Sequence, residues 1–276
     1  MRNIIHSFLF CLVALHCHAQ SNWQRIGVES RQVIVEDNNI YDITTDNDVW
    51  VYNGTPRSWT KIGEQASQIV ADGNDLYMIS TSGNSVWQFN GTPLSWTRIG
   101  EKALQITADG GRLYAISELR NTVWKYSGSP GNWTVIGENG RQIVADGSAL
   151  YLLSNKDDSI WGYNTPQSQG WQRIGEGGKQ IAADSGNLYA ITRAGNAVWE
   201  YNGKPMSWTK IGEQVNQIAV GGANLYCITA GGVVCKYNGR PRDWSILGQR
   251  SSQIDASSSR LVSINRRDNS VWSIGR

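Results

Sequence analysis

Residues 68–100 read QIVADGNDLYMISTSGNSVWQFNGTPLSWTRIG, and this stretch decides the fold because the chain repeats it. Trp96 has counterparts at Trp23, Trp59, Trp133, Trp171, Trp208 and Trp244, spaced 36 to 38 residues apart. A second series, Trp50, Trp87, Trp124, Trp161, Trp199 and Trp272, keeps the same phase, with Cys235 in the slot between the last two. The two series account for all 13 tryptophans. Gln68 recurs as Gln32, Gln105, Gln142, Gln180, Gln217 and Gln253. Gly100 closes a W-x-x-[IL]-G unit and recurs as Gly27, Gly63, Gly137, Gly175, Gly212 and Gly248. All six prolines (Pro56, Pro93, Pro130, Pro166, Pro205 and Pro241) fall in one equivalent loop. Self-similarity at a fixed period is the signature of a repeat architecture.

Within each unit, turn chemistry separates four short apolar runs. Gln68, Ile69, Val70 and Ala71 form the first, and Asp72-Gly73 supplies a hairpin turn. Leu76 to Ile79 forms the second, Val86 to Phe89 the third, and the W-T-x-I-G segment the fourth, after an N-G-x-P loop. Alternation puts Trp87 and Phe89 on one face and Val86 on the other, and Trp59 and Ile62 on opposite faces. Apolar groups on both faces suit sheets stacked radially, each covered by two neighbours. The expected fold is therefore all-β: a seven-bladed β-propeller of four-stranded antiparallel blades. A linear β-solenoid is the competitor, but its coils are shorter and need caps.

The chain ends favour the ring. Proline loops of the N-G-x-P type, four of them with that exact pattern, join the third strand to the fourth in six units, while there are seven units. The segment from Trp23 to Gly27 is a fourth strand, and the segment from Val271 to Ile274 is a third. The N-terminal strand is expected to complete the last blade and close the ring.

Residues 1–19 read as a secretory signal peptide, with Arg2 ahead of a short apolar run (FLFCLVAL) and cleavage before Gln20. Residues 20–276 would then form a single propeller domain, secreted to the extracellular space. All three histidines (His6, His16, His18) lie in the leader, and so do two of the four cysteines. Removing Arg2 from 25 basic residues leaves 24 against 23 acidic ones. That balance supplies no footprint for nucleic acid, and no later segment is apolar enough to span a membrane.

The motif W-T-x-I-G…Q-I-x-A-D-G…L-Y-x-I…V-W-x-Y-N-G resembles the tectonin-repeat family, which includes tachylectin-type and fish-egg lectins. The resemblance covers residues 20–276. It implies a propeller and a secreted lectin of innate defence. The implied ligands are bacterial lipopolysaccharide, GlcNAc-type sugars or methylated glycans. Six repeats are usual among those lectins, and this chain has seven. The shared motif is mainly structural, so it transfers no ligand residue.

Candidate residues follow from the repeat. Without histidine the usual general base and zinc ligand are missing, and no nucleophile elbow, phosphate loop or EF-hand loop occurs. No enzyme, cofactor or metal is expected. Glu64, Glu101, Glu138, Glu176 and Glu213 follow the W-x-x-I-G strand. They could form a polar rim that accepts sugar hydroxyls, or solvated turns. Gln68, Gln105, Gln142, Gln180 and Gln217 could touch ligand, or could bond the next blade through a ladder of buried amides. Most tryptophans should be blade packing, with a subset bordering grooves where sugars could stack.

Asn53, Asn90 and Asn132 each begin an N-x-[ST] sequon, open to glycosylation in a eukaryotic secretory pathway. Cys227 and Cys235 flank a shortened hairpin that sets them directly opposite. A disulfide is expected there, with two reduced thiols as the alternative. The functional expectation is a secreted, monomeric, multivalent lectin that recognises microbial or cell-surface glycans or lipopolysaccharide in defence, the alternative being a protein-interaction scaffold without sugar specificity.

Overall fold

In the computed structural model, which describes residues 22–275, the chain is built of β-strands alone. They form seven four-stranded sheets. Blades 1 to 6 span residues 30–63, 66–100, 103–137, 140–175, 178–212 and 215–248, each a simple antiparallel meander. In blade 2 the strands are Ala66–Asp72, Asp75–Ser80, Val86–Phe89 and Trp96–Gly100, running from the channel outward. Blade 7 takes three strands from residues 251–275 and its outer strand, Gln24–Gly27, from the other end of the chain. Gln24 lies opposite Ser273 and Arg25 opposite Trp272. The ring is thus closed by the N-terminal strand, as the loop count predicts. The leader, with its cleavage point, lies outside the described residues.

The strands are longer than the apolar runs suggest. The inner strand of blade 2 begins two residues before Gln68, at Ala66. A bulge between Ala66 and Gln68 recurs at the same place in all seven blades. It re-aims the glutamine toward the neighbouring blade.

The core is not inside any one sheet. Seven apolar clusters lie one at each blade-to-blade interface. Tyr77, Ile79, Val86 and Ile99 of blade 2 meet Ala103, Ile106, Leu113 and Ala115 of blade 3. At the seam Ile26, Val262, Ile264 and Val271 of blade 7 meet Val33, Val35 and Ile40 of blade 1. Each sheet buries both faces, which explains the absence of a polar face in the repeat.

Candidate functional site

Two circular networks account for the most repeated residues. The glutamine amides form the first. Gln68 Nε2 donates to the Ile106 carbonyl at 3.0 Å, and its Oε1 accepts from the Ile106 N–H at 2.9 Å. The same two-bond grip joins Gln32 to Ile69, Gln105 to Ile143, Gln142 to Ile181, Gln180 to Ile218 and Gln217 to Ile254. Gln253 returns to Val33 and completes the circle. Of the two roles expected for Gln68, Gln105, Gln142, Gln180 and Gln217, the structure shows the amide ladder to the next blade. Both polar ends of each amide are engaged by backbone groups that would otherwise be unpaired.

The outer tryptophans form the second network. Trp133 Nε1 donates to the Ile99 carbonyl of the preceding blade at 2.8 Å, Trp96 to Ile62 at 2.7 Å and Trp208 to Ile174 at 2.7 Å. Trp59, Trp171 and Trp244 do the same to Ile26, Ile136 and Ile211, and Trp23 to Leu247. Each indole lies over the glycine that closes the previous unit. A Cβ on Gly100 would stand 3.0 Å from Trp133 Nε1. This close approach is why W-x-x-[IL]-G ends in glycine. In six blades the same indole also meets a third-strand ring at about 5 Å between centroids, as in Tyr126–Trp133.

The glutamates stand at the turns leaving the outer strands, and four are tied down. Lys61 lies 2.7 Å from Glu64, Arg98 2.8 Å from Glu101, Arg173 3.4 Å from Glu176 and Lys210 2.6 Å from Glu213. The Lys210 ammonium holds the Glu213 carboxyl below the usual carboxylate range. Glu138 differs, because Val135 occupies the cation position.

Two of these glutamates border grooves between blades. One groove, about 470 Å³, separates blades 2 and 3. Trp124 and Trp133 line it with Val86, Ala103, Ala115 and Leu119, and Arg98, Glu101 and Lys102 border it. The Trp124 indole N–H is fixed to Thr122 Oγ1 at 2.7 Å. Between blades 5 and 6 the equivalent groove, with Lys210, Glu213, Arg242 and Trp244, reaches about 730 Å³. There Cys235 stands where Trp124 stands in blade 3. Between blades 6 and 7, Trp272 keeps the indole and the volume is about 220 Å³.

Sequence reasoning missed the apolar side of the first groove. Leu119, in its lining, is 56% exposed; Leu104, on the inner strand and outside that lining, is 54% exposed. Neither position repeats a residue type, so periodicity gives no signal for them. For Leu119 the only hint is an apolar side chain at a turn.

Cys227 and Cys235 are directly opposite, as the shortened hairpin predicts. The expected disulfide is not shown: in this structure both cysteines are free and buried. They associate through a hydrogen bond from the Cys227 thiol to the Cys235 sulfur, which raises the first thiol's pKa and lowers the second's.

Asn53 Nδ2 donates to Ser58 Oγ at 3.1 Å and its Oδ1 accepts from Thr60 at 3.1 Å. Asn90 repeats this with Ser95 and Thr97, and so does Asn202 with Ser207 and Thr209, though Asn202 starts no sequon. The asparagine is thus explained by the loop it braces. Asn132 sits elsewhere in its loop, where its backbone N–H donates to the Ser129 carbonyl. Among the described residues, no group of three His, Cys, Asp or Glu side chains comes together to hold a metal, and no helix is long and apolar enough to cross a membrane.

No protein-family model matches the sequence, and no curated protein matches it. Solved structures do match in fold. YCF48 bound to D1 peptide superposes with a TM-score of 0.66 at 11% identity, over 91% of this chain and 96% of that one. YCF48 from Cyanidioschyzon merolae gives 0.65 at 11% identity, over 91% and 97%. Prp20p from Saccharomyces cerevisiae, whose binding to Gsp1p and histones has been studied, gives 0.59 at 10% identity, over 92% and 81%. At such identities the likeness is one of fold.

Proposed function

We propose that this chain is a recognition protein that binds a partner protein through the grooves between its blades, without catalysing a reaction. One observation carries the reading. The most regular residues are engaged in holding the ring, while the groove between blades 2 and 3 exposes Leu119 in an indole-lined cleft. Exposed apolar side chains around a concave, partly aromatic cleft are what a peptide side chain docks into. The fold neighbours support this reading, since YCF48 was solved with the D1 peptide and Prp20p was studied for binding to Gsp1p and histones. Four of the five glutamates are paired with a cation three residues earlier, as structural turn residues would be.

A second reading, a secreted multivalent lectin, is favoured by a different observation. The Trp124 ring plane is locked by its bond to Thr122, beside a guanidinium–carboxylate pair that offers donors and acceptors. That combination suits a sugar ring, and weak sites repeated around a ring could act together. The tectonin-like motif supports the same reading.

One experiment separates them. The labelled protein is screened against a displayed peptide library and a glycan array, each with Leu119→Asp and Trp124→Ala variants. Peptides lost in Leu119→Asp support the first reading. Glycans lost in Trp124→Ala, with no peptide selected, support the second. Ligands unaffected by either variant contradict a site in this groove.

A further inference from the structure

The two mouths of the central channel differ in charge: the first is acidic, and at the second three blades carry a cation, of which Arg141 is paired with Asp158 at 2.9 Å. Where the inner strands end, Glu36, Asp72, Asp109, Asp146 and Asp184 take the position four residues after the ladder glutamine in blades 1 to 5. Burial, together with repulsion from neighbouring carboxylates, holds Glu36, Asp72 and Asp146 above the usual carboxylate range. Where the inner strands begin, the residue before the ladder glutamine is Arg31 in blade 1, Arg141 in blade 4 and Lys179 in blade 5. At this second mouth a pocket of about 490 Å³ opens across blades 5, 6 and 7.

We propose that this pocket binds an oxyanion, the phosphate or sulfate group of a monoester. Lys179 enters it from blade 5 and Arg266 from a loop of blade 7, with Asn216 of blade 6 between them in blade order. No lining residue is acidic. Among the described residues neither Lys179 nor Arg266 is in an ion pair. Lys179 Nζ donates once, to Asn196 Oδ1 at 2.9 Å, which leaves two N–H groups. The Arg266 guanidinium lies over the turn at Gly232, where a Cβ would stand 2.8 Å from Nη1. Its planar fork matches two oxygens of a tetrahedral anion, and the lysine adds a point charge from the other side.

The acidic mouth does not cancel this field. Seven-residue inner strands separate the two ends by roughly 20 Å, against a screening length of about 8 Å at physiological salt. The chain as a whole is nearly neutral, so attraction for anions has to be local. The site is distinct from the grooves, and the proposal does not rest on what they bind.

Titration calorimetry of the whole chain with inorganic phosphate, inorganic sulfate and acetate, at low ionic strength and near-neutral pH, tests the proposal. Saturable binding of phosphate or sulfate is expected near a millimolar Kd, weakened at least about fivefold by Lys179→Gln and by Arg266→Gln. Arg57→Gln, in a loop at the opposite end of the channel, should leave it within about twofold. Preference for phosphate assigns a phosphate ester, and preference for sulfate a sulfate ester. No saturable binding up to roughly 50 mM would overturn the proposal. So would acetate binding as tightly, or equal weakening in all three variants.

Discussion

Gln253 and Val33 grip each other across the seam of the ring: the amide nitrogen donates to the Val33 carbonyl at 2.8 Å and the amide oxygen accepts the Val33 N–H at 2.8 Å. They are 220 residues apart in the chain, yet they repeat the contact that every other pair of adjacent blades makes at a separation of 37 to 39. The seam is therefore built like the other interfaces. Asp255 adds a bond there, accepting the Val35 N–H at 2.8 Å, and the Ser257 hydroxyl donates to the Asp37 carbonyl at 2.7 Å.

Breaking one rung of the amide circle should be costly. In Gln142→Leu the backbone N–H and carbonyl of Ile181 lose the partners they meet at 2.9 Å. Two unpaired backbone groups cost about 2–4 kcal/mol, or roughly 5–15 °C in Tm for a domain of this size. Gln142→Glu keeps the acceptor and loses the donor, so it should fall between. Thermal melts of the two variants check the order, and a Leu variant as stable as the parent would contradict the ladder's role.

Gly100→Ala adds one methyl group where Trp133 Nε1 would stand 3.0 Å away. The indole is anchored to Ile99 and cannot retreat without losing that bond. A loss of about 1–3 kcal/mol is expected. Combining it with Trp133→Leu should shrink the glycine effect, because the clash is gone. Urea melts arranged as a double-mutant cycle measure this, and additive losses would contradict the contact.

Asp42 gives the seam a pH dependence. It is only 4% exposed, on the face of blade 1 turned to blade 7, and the Ser30 hydroxyl donates to it. Burial, only partly offset by that hydrogen bond, pushes its carboxyl up to about 7. The unfolded value is near 4, so the folded chain holds the proton more tightly. The stabilisation is complete below about pH 4 and is lost as pH rises through about 7, by up to about 4 kcal/mol. Asp255, also pushed up to about 7, adds in the same direction. Asp42→Asn should therefore raise Tm more at pH 8 than at pH 5. An equal shift at the two pH values would contradict the burial argument.

Removing residues 22–28 deletes the outer strand of blade 7. Ile26 leaves the seam cluster, Trp59 loses its acceptor, and the Trp23 bond to Leu247 goes. A loss of about 5 kcal/mol corresponds to a fall of roughly 10–20 °C in Tm. An unchanged melt in calorimetry would show that the strand is dispensable.

The ring was legible in the sequence because its parts recur in one phase. Gln, Trp and Gly mark the contacts between blades, and those contacts must be identical wherever identical blades meet. The same regularity misleads about binding, since Gln68 and its counterparts are polar and invariant for a structural reason. The glutamates were legible only as turn residues; four pair with a cation three residues earlier, and Glu101 and Glu213 border grooves. Leu104, Leu119 and Asp42 carry no periodic signal. Asp42 sits where the equivalent residues are Met78, Ala115, Leu152, Ala190, Cys227 and Ser263, so only the folded interface shows what a buried carboxylate faces. Nor does register decide the chemistry of Cys227 and Cys235. It sets them opposite, while bond formation depends on sulfur geometry.

Ring closure by the N-terminal strand is the central claim, and a cross-link tests it most directly. Gln24 and Ser273 are directly opposed across the strand pair, at a Cα separation that antiparallel neighbours keep near 4.5–5.5 Å and that suits a disulfide. With Gln24→Cys and Ser273→Cys together, the account predicts a disulfide between the two in non-reducing peptide mapping and a Tm that drops on reduction. Two thiols that neither oxidise to a disulfide nor are bridged by a short bifunctional thiol-reactive reagent, with an unaltered melt, would contradict it.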